Sequence, residues 1–422
     1  VADVTTAPNY DVIVAGGGTA GVAAAVGAAR EGARVLLLER HGCLGGAAAV
    51  RNVLTLCGLY TLGDDMTPVV GGIGAEVVAA LEDRSAITGP QRFRGVFSSF
   101  EPEAMKLVLD QLVAGAGVDT RFGCHVSAAT RDGDRITGVT FADHGGDTSV
   151  TARAFVDCTG EGDLAHLGGA STRYGNADGV NLGTLGTRFG GIPADVTVTA
   201  QQIAEAIGDM GFAPGMVTKD RCVIVRLPGS ADMVLYLASA DYDPRDAASL
   251  SQAEMDARRQ AWAYLDAIRT IPGCARAYLV STGPEIGTRE SRHLNARRQF
   301  TWSDIEARAS HDDTIALGAW GAEWHDRGSY ASSFDYPPEK EAYEIPLSCL
   351  HSVDTPNLFC AGRLADGDRR GGAAIRVMGT AMATGQAAGV AAALVAQGAF
   401  DPAEVRARLR QGGALLSVQD LS

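Results

Sequence analysis

Apolar residues in this chain come in short, unbroken runs that end at glycines. Residues 11–15 form such a run, of the kind that makes a parallel strand buried on both faces. An alanine-rich helix is expected over 22–30, with Gly32 closing the turn after it, and residues 34–38 supply a second strand that ends at Glu39. Further on, Gly71-Gly72-Ile73-Gly74 opens a predicted helix over 75–82. Phe100-Glu101-Pro102-Glu103 starts another, with proline in the first turn and acids at the positive end of the helix dipole. Between 118 and 155 the period changes to two. Short strands over 126–130, 136–141 and 149–152 alternate with the turns Asp132-Gly133-Asp134 and His144-Gly145-Gly146-Asp147, which together predict a β-meander. Residues 155–157 then read as a strand running into a glycine turn. A middle stretch without glycine fingerprints holds predicted strands at 223–227 and 233–238 and an amphipathic helix over 252–271. Residues 357–363 are another buried strand meeting a glycine, 381–395 a buried helix interrupted by Thr384, Gly385, Gln386 and Gly389, and 401–410 a short amphipathic helix.

The first of these patterns carries chemistry. The run 11–15 leads directly into Gly16-Gly17-Gly18-Thr19-Ala20-Gly21, a G-x-G-x-x-G loop. Gly16 allows the tight turn, Gly18 lets backbone N–H groups approach a pyrophosphate, and Gly21 lets the helix lie close on the strand. Glu39, at the end of the second strand, would accept hydrogen bonds from ribose hydroxyls and repel a 2′-phosphate. The ligand expected is FAD or NAD, and not NADP.

Size and charge narrow the class. At 422 residues two domains are expected. A formal charge of −14 argues against nucleic acid or an anionic membrane as partner, since either encounter would begin with repulsion. Residues 1–10 show neither a basic nor an apolar leader segment, and no run reaches the ~18 apolar residues of a membrane span. Cytoplasmic location is the default expectation. The eight cysteines are scattered without C-x-x-C or metal-ligand spacing, so reduced, buried thiols and no metal are expected.

After Glu39 come Arg40-His41-Gly42-Cys43-Leu44-Gly45-Gly46. An acid at the strand end followed by Leu-Gly-Gly resembles the FAD-binding proteins of the glutathione-reductase superfamily, which favours FAD over NAD. Disulfide reductases of that superfamily carry their redox cysteines where this chain has Ala48 and Val53, which argues against disulfide exchange. A covalent flavin link through His41 or Cys43 and plain loop packing beside the cofactor both stay open. Asp157-Cys158-Thr159-Gly160 resembles the superfamily's second FAD motif. Arg289-Glu290-Ser291-Arg292, Glu323-x-His325, Ala361-Gly362-Arg363 and Ile375-Arg376-Val377-Met378 extend the resemblance, over about 11–413, to FAD-dependent oxidoreductases related to fumarate reductase and succinate dehydrogenase flavoproteins. Where relatives often have histidines before Arg376, this chain has Arg369 and Gly372.

The resemblance implies an α/β fold: a Rossmann-like FAD-binding domain with an inserted β-meander, plus an α+β substrate domain. The expected divisions are 8–170 and 331–398 for the FAD domain, 171–330 for the substrate or cap domain, and 399–422 for a C-terminal helix and tail. It places Gly16, Gly18, Thr19, Ala20, Gly21, Glu39, Arg40, Gly45 and Gly46 on the cofactor. Val126, Thr159, Gly160, Asp163, Gly362, Arg363, Arg376, Val377 and Met378 join them. The implied reaction is hydride transfer between flavin N5 and a small substrate, anionic or hydroxyl-rich. His325 is the expected proton mover, its pKa raised by Glu323 and Asp326, with His293 next in line. Arg289 and Arg292 would clamp the substrate, and Arg369 or Arg376 would hold developing charge. An FAD-dependent nucleic-acid-modifying enzyme and a protein using FAD only structurally are the rival classes. Substrate identity, reaction direction, electron acceptor and oligomeric state stay open.

Overall fold

The computed structural model describes residues 9–177 and 179–421, so the expected first domain boundary at 8, the reading of residues 1–8 and the final Ser422 lie outside it. Its centre is a parallel sheet in the order Asp119–Arg121, Val35–Leu38, Tyr10–Ala15, Gly146–Asp157, Leu358–Cys360. Val12 to Ala15 and Val35 to Leu38 are buried, as their solid apolar runs require when both faces are covered. The fold is therefore α/β of Rossmann type.

The meander differs from expectation in one respect. The strand at 149–152 and the strand at 155–157 are a single element, Gly146–Asp157. Its first half alternates exposed and buried residues and pairs antiparallel with Arg135–Asp143, itself paired with His125–Asp132. Its last four residues are buried and pair in parallel with Tyr10–Ala15, and the last three pair in parallel with Leu358–Cys360 on the other side. One strand thus belongs to two sheets, and its sequence changes pattern where the neighbours change.

Helix Thr19–Arg30 packs against Met378–Gln397 through small residues. A Cβ added to Gly385 would fall 2.2 Å from the Ala20 carbonyl oxygen, and one on Gly389 would fall 2.0 Å from that of Ala24. Backbone meets backbone there, and no side chain can intervene. Met378–Gln397 is the one helix among the described residues long and apolar enough to cross a membrane, and 89% of its most apolar window is buried inside the protein.

The middle of the chain builds a second core around the antiparallel sheet Ile224–Arg226, Met233–Leu235, Thr187–Gly190, Tyr278–Thr282, backed by the helices Ala200–Asp209 and Ala247–Thr270. This core draws on residues 185–286. Phe300, Trp302, Ile305, Ile315 and Leu317, from the end of the expected substrate segment, are buried in the first core instead.

The segment before the long helix, which holds Gly367, Gly371 and Gly372, is ordered by a helix of its own. Arg369–Ile375 is already a short helix, capped by Asp368, whose carboxylate accepts from the N–H groups of Arg370 and Gly371. It stops at Arg376, and Val377 (ψ 154°) is extended before Met378–Gln397 begins. That break turns residues 376–378 toward the site described next.

Candidate functional site

A cleft opens at the carboxyl ends of the parallel strands, where ligands of such sheets bind. Gly16, Gly18, Thr19 and Ala20 line its floor, and Glu39, Arg40 and Gly46 one wall. Val126, Thr159, Gly160 and Asp163 come from the meander and the second glycine turn, and Gly362, Arg363, Arg376 and Met378 close the far side. Gly21, Gly45 and Val377, the other expected residues, lie outside its lining. A Cβ on Gly21 would lie 1.7 Å from the Gly16 carbonyl oxygen, so Gly21 keeps helix and loop together. Gly45 has φ +112° and packs beside Ala49 and Leu109, shaping the loop rather than the wall. Val377 faces the neighbouring cavity.

The cleft fits a dinucleotide. A Cβ on Gly18 would meet nothing nearer than the Gly46 Cα at 3.9 Å, so the glycine leaves open space where a pyrophosphate must approach backbone. The helix starting at Thr19 has no side-chain cap, and Val22 N–H is the first seen to bond back, to Gly18 at 2.9 Å. Uncapped N–H groups at a helix N-terminus suit an anion. Glu39 is 4% exposed; its carboxylate accepts from Gly17 N–H at 2.6 Å and from His41 N–H at 2.9 Å. Burial opposes its charge, but these bonds and His41 win, and the pKa is lowered.

Buried charge runs on from Glu39. His41 contacts Glu39 through Nδ1 and Glu285 through Nε2, both at 2.8 Å. Burial disfavours the imidazolium, yet the two carboxylates raise its pKa to about 9. Glu285, held ionised below the usual range, also accepts from Arg40 at 2.7 Å and Arg51 at 3.2 Å. Glu161 accepts from Arg363 at 2.5 Å and from Thr288 Oγ1 at 2.8 Å. Arg51, Glu161 and Glu285 were not singled out as cofactor-side residues from sequence. Their partners lie 110 to 245 positions away, and no local signal marks them. Asp157, the acid of the second motif, is fully buried and accepts from Thr159 N–H, Thr159 Oγ1 and Ala165 N–H. It braces the turn.

Beyond Arg51, Arg363, Arg376 and Met378, which line both spaces, lies a cavity of about 700 Å3. Arg289, Lys219, Glu323 and His325 face it, with Cys57, Phe97, Tyr236 and Trp320 among the apolar and aromatic walls. Arg289 donates to the Leu182 carbonyl at 2.6 Å and to Thr184 Oγ1 at 2.7 Å; burial and then the Arg376 cation lower its pKa to about 10. Arg376 donates to the Glu323 carbonyl at 3.2 Å, and its buried Nε has no hydrogen-bond partner among the described residues.

Several expected roles change. His325 lines the cavity, but its pKa falls to about 3 instead of rising. Burial is the main cause and the Arg289 cation the next, together outweighing Glu323. Asp326 is no partner for the ring; its carboxylate accepts from the N–H groups of Gly328 and Ser329. Arg292, expected beside Arg289, lies outside the cavity lining. It contacts the Glu161 carbonyl at 3.0 Å and Asp163 at 3.4 Å, because Arg292–Leu294 is a strand paired with Thr172–Tyr174. Arg369 is exposed, its guanidinium 4.2 Å from the Trp324 ring centre, outside the cavity lining. His293, the second choice for proton transfer, is buried between the Ala365 carbonyl and Glu290, each at 2.9 Å. Lys219 drew no notice in the sequence.

A family model described as FAD dependent oxidoreductase matches residues 11–413. Among solved structures the chain is similar to BexE, studied for oxidation during BE-7585A biosynthesis, with TM-score 0.50 and 16% identity over 96% of this chain and 66% of that one. It is similar to CabE, an aromatic hydroxylase from angucycline biosynthesis, with TM-score 0.50 and 16% identity over 98% of this chain and 70% of that one. At such identity the likeness speaks to fold, and the chain spans about two-thirds of these proteins' length. No curated protein sequence matches it.

Proposed function

The chain belongs to the FAD-dependent oxidoreductase family, an enzyme with FAD as its cofactor, and from that premise we propose that it oxidises or reduces a small anionic substrate held in the 700 Å3 cavity. When bound, FAD supplies the redox chemistry, exchanging a hydride at flavin N5 with a substrate carbon. Gly18, the uncapped helix at Thr19 and Glu39 would hold its pyrophosphate and ribose, with Arg363, Arg376 and Met378 at the junction between cleft and cavity.

One observation carries the substrate class. In a chain of net charge −14, the cavity walls hold Arg51, Arg94, Arg221, Arg289, Arg363 and Arg376 against Asp220 and Glu323. Low-dielectric walls with an excess of one sign concentrate ligands of the other. Arg289 and Arg376 are the residues to orient a carboxylate, since a guanidinium matches it in two parallel hydrogen bonds. The buried, unpartnered Nε of Arg376 is a donor such a group could take up. This reading agrees with the kinship to fumarate reductase and succinate dehydrogenase flavoproteins that the motifs imply. It makes the partner a small molecule and disfavours nucleic acid.

The test is anaerobic mixing of the holoprotein with small hydroxy, amino and saturated carboxylic acids, without reduced nicotinamide. Bleaching of the flavin band by one of them, lost in affinity by tenfold or more in Arg289→Met, supports the proposal. Bleaching that requires reduced nicotinamide, with oxygen consumed on an uncharged aromatic substrate, would replace it with hydroxylation. A flavin band untouched by any donor would point to a structural cofactor.

A further inference from the structure

Only three of the chain's 36 basic Lys and Arg residues are lysines, Lys106, Lys219 and Lys340, and one of them faces the cavity. An arginine keeps its proton near neutral pH, whereas a buried lysine can give its proton up. We propose that the ε-amine of Lys219, and not the imidazole of His325, takes and returns the substrate proton. The inference rests on the reading of this cavity as the substrate site.

Lys219 precedes the strand Ile224–Arg226 in a loop, but its backbone is fixed from a helix. Tyr264 Oη accepts from the N–H groups of Thr218 at 3.2 Å and Lys219 at 3.0 Å, and donates to the Lys219 carbonyl at 2.8 Å. Thr218 Oγ1 donates to Gln260 at 2.7 Å, and Tyr264 and Gln260 are both buried on Ala247–Thr270. A side chain on such a base can be aimed. Nζ lies 3.4 Å from His325 Nδ1, and His325 Nε2 lies 3.4 Å from Glu323 Oε1. A neutral imidazole meets both contacts when Nε2 carries the proton toward Glu323 and Nδ1 accepts from the amine. His325 then positions Lys219.

The surroundings set which group can work. Beside the amine stand Arg289, Glu323 and His325 from across the cavity and Cys222 on its own loop, while Tyr236 lines the same cavity and Tyr264 holds the Lys219 backbone. Among the described residues Lys219 makes no ion pair. Burial, then the Arg289 cation, disfavour its ammonium form and bring the pKa to about 7, near ideal for a group that must both accept and donate. Its neighbours are poorly placed to do so. His325 has fallen to about 3, Glu323 lies well below the carboxylate range, Cys222 is pushed up to about 12, and burial lifts both tyrosines.

In the oxidative direction the O–H or N–H bond of the heteroatom on the reacting carbon breaks, or in a saturated acid a C–H bond on the neighbouring carbon, and its proton joins the Nζ lone pair to give the ammonium. The C–H pair of the reacting carbon leaves as hydride to FAD, the oxidant, while the freed pair closes the C=O, C=N or C=C bond. The ammonium then returns its proton to water. Reduction runs the same steps backward.

With three lysines, lysine labelled with 13C at Cε gives three signals in the holoenzyme, and Lys219→Arg identifies the one in question. A Cε titration midpoint near pH 7 is expected; a midpoint above about 9 overturns the proposal whatever the substrate proves to be. Lys219→Arg should leave the other two signals and FAD content unchanged, yet slow anaerobic flavin reduction by about 10²-fold or more and flatten its pH dependence near 7. His325→Gln should shift the Lys219 midpoint while the pH dependence survives. Wild-type reduction kinetics in Lys219→Arg would also overturn it. If no small anion reduces the flavin but the amine titrates near 7, the fault lies with the substrate reading and not with the amine.

Discussion

His41 joins the cofactor wall to Glu285, 244 positions further along the chain, and its contribution should disappear at high pH. The ring sits between Glu39 and Glu285 at 2.8 Å from each, with its side chain 24% exposed. An unfolded chain would protonate it at its ordinary 6.5, whereas the folded protein does so at about 9. The folded state therefore binds this proton more tightly. Below pH 6.5 both states carry it and the stabilisation is fully present; it is lost as pH rises through 9. At about 1.4 kcal/mol per pH unit between the two values, the bridge contributes about 3 kcal/mol at pH 6. His41→Gln keeps hydrogen-bonding capacity and removes the charge. Denaturant unfolding of wild type and variant holoprotein would be compared at pH 6 and about pH 10, where shared titrations cancel in the difference. The gap should be near 3 kcal/mol at the lower pH and under about 1 kcal/mol at the higher. A gap of equal size at both would refute the argument, because uncharged packing would then be the whole effect.

Two further predictions follow from the walls of the cleft and cavity. Gly18→Val should abolish FAD retention by filling the open approach to the backbone, and Glu39→Ala should weaken it, both read as the flavin-to-protein ratio after dialysis. Cys57→Ser should keep most flavin reduction although Cys57 lines the cavity, because burial pushes its thiol to about 12 and keeps it protonated; Cys43→Ser should behave alike, and loss of reduction with FAD still bound would show a cysteine at work.

How much of this was legible depended on how local each feature was. The loop Gly16-Gly17-Gly18-Thr19-Ala20-Gly21 and Glu39 lie in one supersecondary unit, where spacing alone decides which groups meet. The change of period at the meander was equally plain, although a single strand proved to run through both of its patterns. The proton chemistry was not legible, since it depends on burial and on charges distant in the chain. Glu323 and Asp326 beside His325 suggested a raised pKa. Burial in the cavity wall, and then Arg289, 36 positions away, reversed it. Arg292 shares a motif with Arg289, but strand pairing with Thr172–Tyr174 turns it to Asp163.

What the sequence by itself determined, then, is the fold class, the family and the FAD cleft, because glycine geometry and apolar periodicity act between near neighbours. Only the tertiary structure decided which charges share a low-dielectric space. It brought Glu285 to His41 across 244 positions and Lys219 to His325 across 106. Coulomb energy and desolvation follow distance in space, and chain position does not encode that distance until the two cores have closed on each other.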